Sequence, residues 1–106
     1  MTQDKTIELI SLALDAALLR QKTIATNIAN INTSDYQVME VNFEQQLREN
    51  AFQEIRPFLQ RSQDHNSLDD QLALSVKNLS HYRALVKGLN QKLALIKLAL
   101  EGNNSL

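Results

Sequence analysis

Apolar residues recur with alternating spacings of three and four at both ends of this chain, which commits both ends to long helices that pack along a seam. In the first run they fall at Ile7, Ile10, Leu14, Ala17, Ile24, Ile28 and Ile31, with Gln21 as the single polar member. The second run reads Leu68, Leu72, Ser75, Leu79, Tyr82, Val86, Leu89, Leu93, Ile96 and Leu100 and never slips. Leu9, Leu12, Leu18 and Leu19 widen the first face beyond a two-position seam, so that helix is expected to touch more than one neighbour.

Start and stop signals bracket both patterns. The first helix is expected to begin near Thr2 to Lys5, where Thr2 or Asp4 can cap exposed N–H groups, and to run to about Asn30. At ~1.5 Å per residue that is a rod of roughly 40 Å. The second is expected to start at Ser67, an N-cap residue with Asp70 three positions later and Asp69 adding favourable charge. Lys92 and Lys97 occupy its later turns, and Gly102 with Asn103 offers a stop. Gly88 inside this helix is either a tolerated weakness of about 1 kcal/mol or a point of close helix approach, and both readings stay open.

Between the helices the period is lost. Asn32-Thr33-Ser34-Asp35 is a turn-forming run, because each side chain can hydrogen-bond nearby backbone in competition with the helix. Val38, Val41 and Phe43 are expected to be half-extended. Phe43 to Leu47 can open a short helix reaching Ala51 or Phe52, and Gln60 to Asn66 reads as polar linker. Pro57 breaks what precedes it and biases Arg56 toward extended geometry. The expected organisation is three stretches, 1–33, 34–66 and 67–106, in one small unit. The expected fold class is mainly all-α, with two long terminal heptad helices forming an antiparallel coiled coil or bundle around an irregular middle.

Composition supports helices and removes most chemistry. With no Trp, three Phe and two Tyr, the core must be built mainly from Leu, Ile, Val and Ala. A formal net charge of −1 offers no general attraction to nucleic acid or an anionic membrane. There is no Cys, so disulfides, thiolate zinc sites and cysteine nucleophiles are excluded. His65 and His81 have no second ligand at helical spacing, and two glycines cannot build a phosphate loop, so neither metal, cofactor nor catalytic site is expected. No segment approaches the roughly 20 apolar residues that cross a bilayer. The opening MTQDKTIELI lacks a secretory signal, so leaving the cytoplasm would call for a dedicated exporter. Asp35, Glu40, Glu44, Glu49 and Glu54 give an acidic middle, while Lys77, Arg83, Lys87, Lys92 and Lys97 give a basic rear helix. These pair between subunits or are simply solvated faces.

The end of the first helix is unusual, with Asn27, Asn30 and Asn32 interleaved among Ile24, Ile28 and Ile31. Ala25-Thr26-Asn27-Ile28-Ala29-Asn30-Ile31-Asn32-Thr33, followed by Tyr36, resembles the N-terminal signature of the bacterial flagellar rod and hook (axial) proteins. Asp64 to Asp69 and Asn78-Leu79-Ser80-His81-Tyr82 through Leu89, Lys92 and Lys97 resemble the last helix of the proximal rod members of that family, and Phe43 with Leu47 resembles an element after their signature. Asp35 stands where the family usually has Gly, at a position that calls for positive φ, and His65 replaces a second Gly.

The resemblance implies a structural subunit of the flagellar basal body, located in the periplasm and exported through the flagellum-specific channel without a cleaved signal. Its partners would be copies of itself, other rod proteins, the membrane ring and the export gate, with no nucleic acid and no membrane insertion. The assembly residues it implies are Ile7, Ile10, Leu14, Ile24, Asn27, Ile28, Asn30, Ile31, Thr33, Tyr36, Leu72, Leu79, Tyr82, Val86, Leu89, Leu93, Ile96 and Leu100. Asn27 and Asn30 are expected to set register between subunits, and both terminal helices to fray in the monomer and order on assembly. The other reading is a free helical-hairpin adaptor or secretion chaperone with both long helices protected on its own.

Overall fold

A computed structural model describes residues 2–49 and 54–104, with the side chains of 2–4, 103 and 104 outside the description. Its elements are helix α1 (Thr2–Asn30), strand β1 (Met39–Asn42), helix α2 (Glu44–Glu49), strand β2 (Phe58–Arg61) and helix α3 (Leu68–Asn104). The molecule is long and thin, 67 × 28 × 15 Å. Two long helices dominate it, as the heptad runs require, and the fold is mainly all-α.

α1 and α3 pack antiparallel. Asn27 meets Gln71 and Gln21 meets Ser75, while Asn78 reaches the carbonyl of Ala17, so the chain positions run in opposite directions along the contact. α1 ends at Asn30 as expected. Its last turn is closed by Thr33 N–H donating to Asn30 O at 2.8 Å, and a second turn by Tyr36 N–H donating to Thr33 O at 3.2 Å. Asp35 sits inside this second turn at φ 62°, the left-handed conformation that the turn demands.

α3 starts where the sequence places it. Ser67 Oγ accepts from Asp70 N–H at 3.0 Å and Ser67 O accepts from Gln71 N–H at 3.1 Å, which is N-cap geometry. Its end differs from the expected stop: the helix continues through Gly102 to Asn104, and no glycine takes positive φ. Without a left-handed residue there is no C-cap turn at Gly102. The Thr2 and Asp4 caps and the end of the short helix near Ala51 or Phe52 lie outside the described residues.

The middle is more ordered than its sequence suggests. β1 and β2 form an antiparallel pair with Met39 opposite Arg61, Glu40 opposite Gln60, Val41 opposite Leu59 and Asn42 opposite Phe58. Gln60 and Arg61, read as linker, therefore belong to a strand. Their polar side chains hid the pattern, but Gln60 Nε2 donates to Glu40 Oε2 at 2.8 Å across the ladder, a partner invisible in local sequence. Pro57 immediately precedes β2, where its missing N–H costs the ladder nothing. The hydrophobic core forms between α1 and this middle segment: Ala16, Val41 and Phe43 are its centre, with Leu12, Leu19, Leu47 and Ile55 packed around them.

Candidate assembly interface

The amides at the end of α1 form one network. Asn27 is 0% exposed, and its Nδ2 donates to Met39 O at 2.8 Å and to Gln71 Oε1 at 2.9 Å. Its Oδ1 accepts from the Tyr36 hydroxyl at 2.8 Å and from Met39 N–H at 3.1 Å. Both amide hydrogens and both carbonyl lone pairs are thus used. Gln71, itself 1% exposed, then donates to His65 O at 2.6 Å. One asparagine ties α1 to the turn, to β1 and to the first turn of α3.

The same logic continues down the helix pair. Gln21 Nε2 donates to Ser75 Oγ at 2.8 Å, and Asn78 Nδ2 donates to Ala17 O at 2.8 Å and Gln21 Oε1 at 3.0 Å. Side chains also complete the hairpin backbone. Asn27 serves Met39, Arg20 Nη2 donates to Val41 O at 3.4 Å, and the Gln46 amide pairs with both N–H and C=O of Arg56 at 3.3 and 2.6 Å. Arg20 also forms a 2.7 Å ion pair with Glu44 at the start of α2. The acidic middle is thereby anchored to α1, and among the described residues no ion pair joins it to the basic face of α3.

Within the single chain the hydrogen-bonding capacity of Asn27 is filled, and the register it sets there is that of α1 against the hairpin and α3. Asn30 is only partly buried, and its Nδ2 donates to Thr26 O at 2.9 Å within its own helix. Thr33 is exposed, with its hydroxyl 3.4 Å from Asn30 Oδ1.

The apolar seam residues divide into two groups. Ile24 is buried, and Ile7, Ile10, Leu14, Ile28, Ile31, Tyr36, Tyr82, Val86, Leu89 and Ile96 are half-buried. Leu72, Leu79, Leu93 and Leu100 are exposed. In its first half α3 therefore turns Gln71, Ser75 and Asn78 toward α1: Ser75 lies on the expected seam, whereas Gln71 and Asn78 stand one residue before Leu72 and Leu79. Leucine in place of Gln71, Ser75 and Asn78 would leave one amide hydrogen of Asn27 and the amide of Gln21 without the partners that α3 supplies, which is more costly than leaving leucine wet. Gln71 and Asn78 are the residues that the periodicity missed. Their spacing of seven, with Ser75 between, was the available signal.

What remains outward is an apolar surface on α3. Leu68, Leu72, Val76 and Leu79 line one side of its first half, and Leu95, Leu98 and Leu100 stand 59 to 63% exposed near its far end. The antiparallel register carries those last turns beyond the first turn of α1. Beyond the backbone of its own helix, no atom of the described residues would lie within 4 Å of a Cβ at Gly88, so no close approach by α1 explains that glycine. Among the described residues no group of three or more His, Asp or Glu converges to hold a metal, and no helix is long and apolar enough to cross a membrane.

The sequence model of a structural family described as flagella basal body rod protein matches residues 11–37. That span covers most of α1, Asn27 with its partner Tyr36, and the two closing turns; Met39 and Gln71, the other partners of Asn27, lie beyond it. No curated protein gives a significant match to the chain.

Proposed function

From the flagella basal body rod segment carried by residues 11–37, we propose that this chain is a structural subunit of the bacterial flagellar rod, of the proximal (FlgB-like) type. It assembles through its terminal helices into the torque-transmitting shaft and performs no catalysis. The observation that carries this reading is the coincidence of that segment with an α3 on which Leu68, Leu72, Leu79, Leu93, Leu95, Leu98 and Leu100 stand exposed. A helix apolar on several sides belongs inside an assembly, because no one neighbour can cover it. The leucines of α3 and the half-buried seam of α1 are the surfaces that neighbouring subunits complete.

Its partners are copies of itself, other rod proteins, the membrane ring and the export gate. It reaches the periplasm through the flagellar export channel. Long helices suit this task, since many shared apolar contacts across subunit boundaries resist sliding better than a few loop contacts. Substituting Leu79→Glu together with Leu93→Glu tests the assignment. The expected result is a chain that keeps its helicity in solution and no longer enters the rod. Unimpaired rod formation by that variant would show that these leucines are not the assembly face, and a stable, cytoplasmic small oligomer would favour the adaptor reading instead.

A further inference from the structure

α3 contributes no residue to the hydrophobic cluster around Ala16, Val41 and Phe43. The centre of the core comes from Ala16 on α1, Val41 on β1 and Phe43 ahead of α2, and the residues packed around it are also drawn from α1 and the middle segment. Among the described residues, the buried side chains that α3 presents to the rest of the chain are Gln71 and Asn78, at 1 and 4% exposure. Both are amides, and its apolar residues are at most half-buried.

The two kinds of contact respond differently to separation. An amide withdrawn from its partner regains hydrogen bonds to water, so the net cost of undocking is a small fraction of the bond's strength. An apolar side chain withdrawn from a core has no such replacement. The α1–hairpin unit is held by the second kind of contact. Docking of α3 on α1 relies on the first, supplemented by half-buried apolar contacts.

We propose that α3 is a latch, which undocks from α1 as a unit while α1, β1, α2 and β2 stay folded. Gln71, Ser75 and Asn78 set the one register in which it closes. Undocking releases the amide face of α1 and the full circumference of α3, so both become available to helices of another subunit. The latch is independent of the rod reading, and it departs from the expectation that both terminal helices fray alike: α1 remains ordered because the core is built on it.

Amide hydrogen exchange on the dilute full-length chain tests this. Amides from Gln71 to Leu89 are expected to exchange at least tenfold faster than those from Leu12 to Asn27. Asn78→Ala removes the bonds to Ala17 O and Gln21 without touching the hairpin, and is expected to accelerate α3 a further fivefold or more while α1 changes by less than twofold. Ser75→Ala, too small a change to threaten folding, is expected to act in the same direction. A single common rate for α1 and α3, accelerated together by both variants, would overturn the latch. So would a faster α3 whose rate neither variant alters, because the amides would then not be what closes it.

Discussion

The side chain of Asn27 and the main chain of Met39 exchange two hydrogen bonds, Nδ2 to Met39 O at 2.8 Å and Met39 N–H to Oδ1 at 3.1 Å. The buried amide serves β1 as a neighbouring strand would, on the edge away from β2. Asn27→Leu leaves both Met39 groups, the Tyr36 hydroxyl and Gln71 Oε1 without their partner. The expected loss is about 2–4 kcal/mol, since a buried group left unsatisfied costs about 1–3 kcal/mol and partial hydration relieves some of it. Asn30→Leu, whose amide bonds only its own helix, is expected to change stability by less than about 0.5 kcal/mol. Urea unfolding of the two variants measures both, and equal effects would contradict the assignment of Asn27 as the hub.

Asp35 holds φ 62° in the turn closed by Tyr36 N–H on Thr33 O. A β-branched residue tolerates this conformation poorly, so Asp35→Val is expected to cost about 1–2 kcal/mol. Asp35→Gly relieves native strain and adds freedom to the unfolded chain, and the two effects are expected to cancel to within about 0.5 kcal/mol. Thermal melts of the pair check the contrast.

Gly88 lies in the interior of α3 with open space where a Cβ would sit. Gly88→Ala should therefore raise the helicity of the free chain and stabilise α3 by about 1 kcal/mol. Measured by circular dichroism alongside an assembly assay, the variant also separates the two readings of this glycine. Stabilisation with normal assembly marks a tolerated weakness, and stabilisation with impaired assembly marks a close approach by a neighbouring subunit.

Arg20 pairs with Glu44 at 2.7 Å while also reaching Val41 O at 3.4 Å. The Glu44 side chain is 43% exposed, so Glu44→Gln is expected to cost less than about 1 kcal/mol, and less still at high salt. Arg20→Ala also removes the donor to Val41 O and the packed stem of the arginine, and should cost more, about 1–2 kcal/mol. Denaturant midpoints at low and high salt distinguish the two contributions.

Much of this architecture is written in local pattern. The three–four spacing places both helices, Ser67 marks the start of α3, and the asparagine-rich run ends α1 at Asn30. The unusual density of amides around Ile24 and Ile28 also points to Asn27 as special. The unread features depend on partners distant in the chain. β2 hides because Gln60 and Arg61 look like linker until Glu40 and Met39 stand opposite them. The inward stripe of α3 hides because the leucines announce a seam, whereas Gln71 and Asn78 face inward only to satisfy Asn27, Gln21 and Ala17. Periodicity counts apolar residues, and it is blind to a helix pair held partly by amides.

Fractionation of flagellar basal bodies from the source cells, with this chain followed by immunoblot, tests the rod assignment most directly. The assignment predicts that the chain co-purifies with the rod and remains there through washes that strip peripheral proteins. Finding it wholly in the soluble fraction while intact rods sediment without it would contradict that assignment.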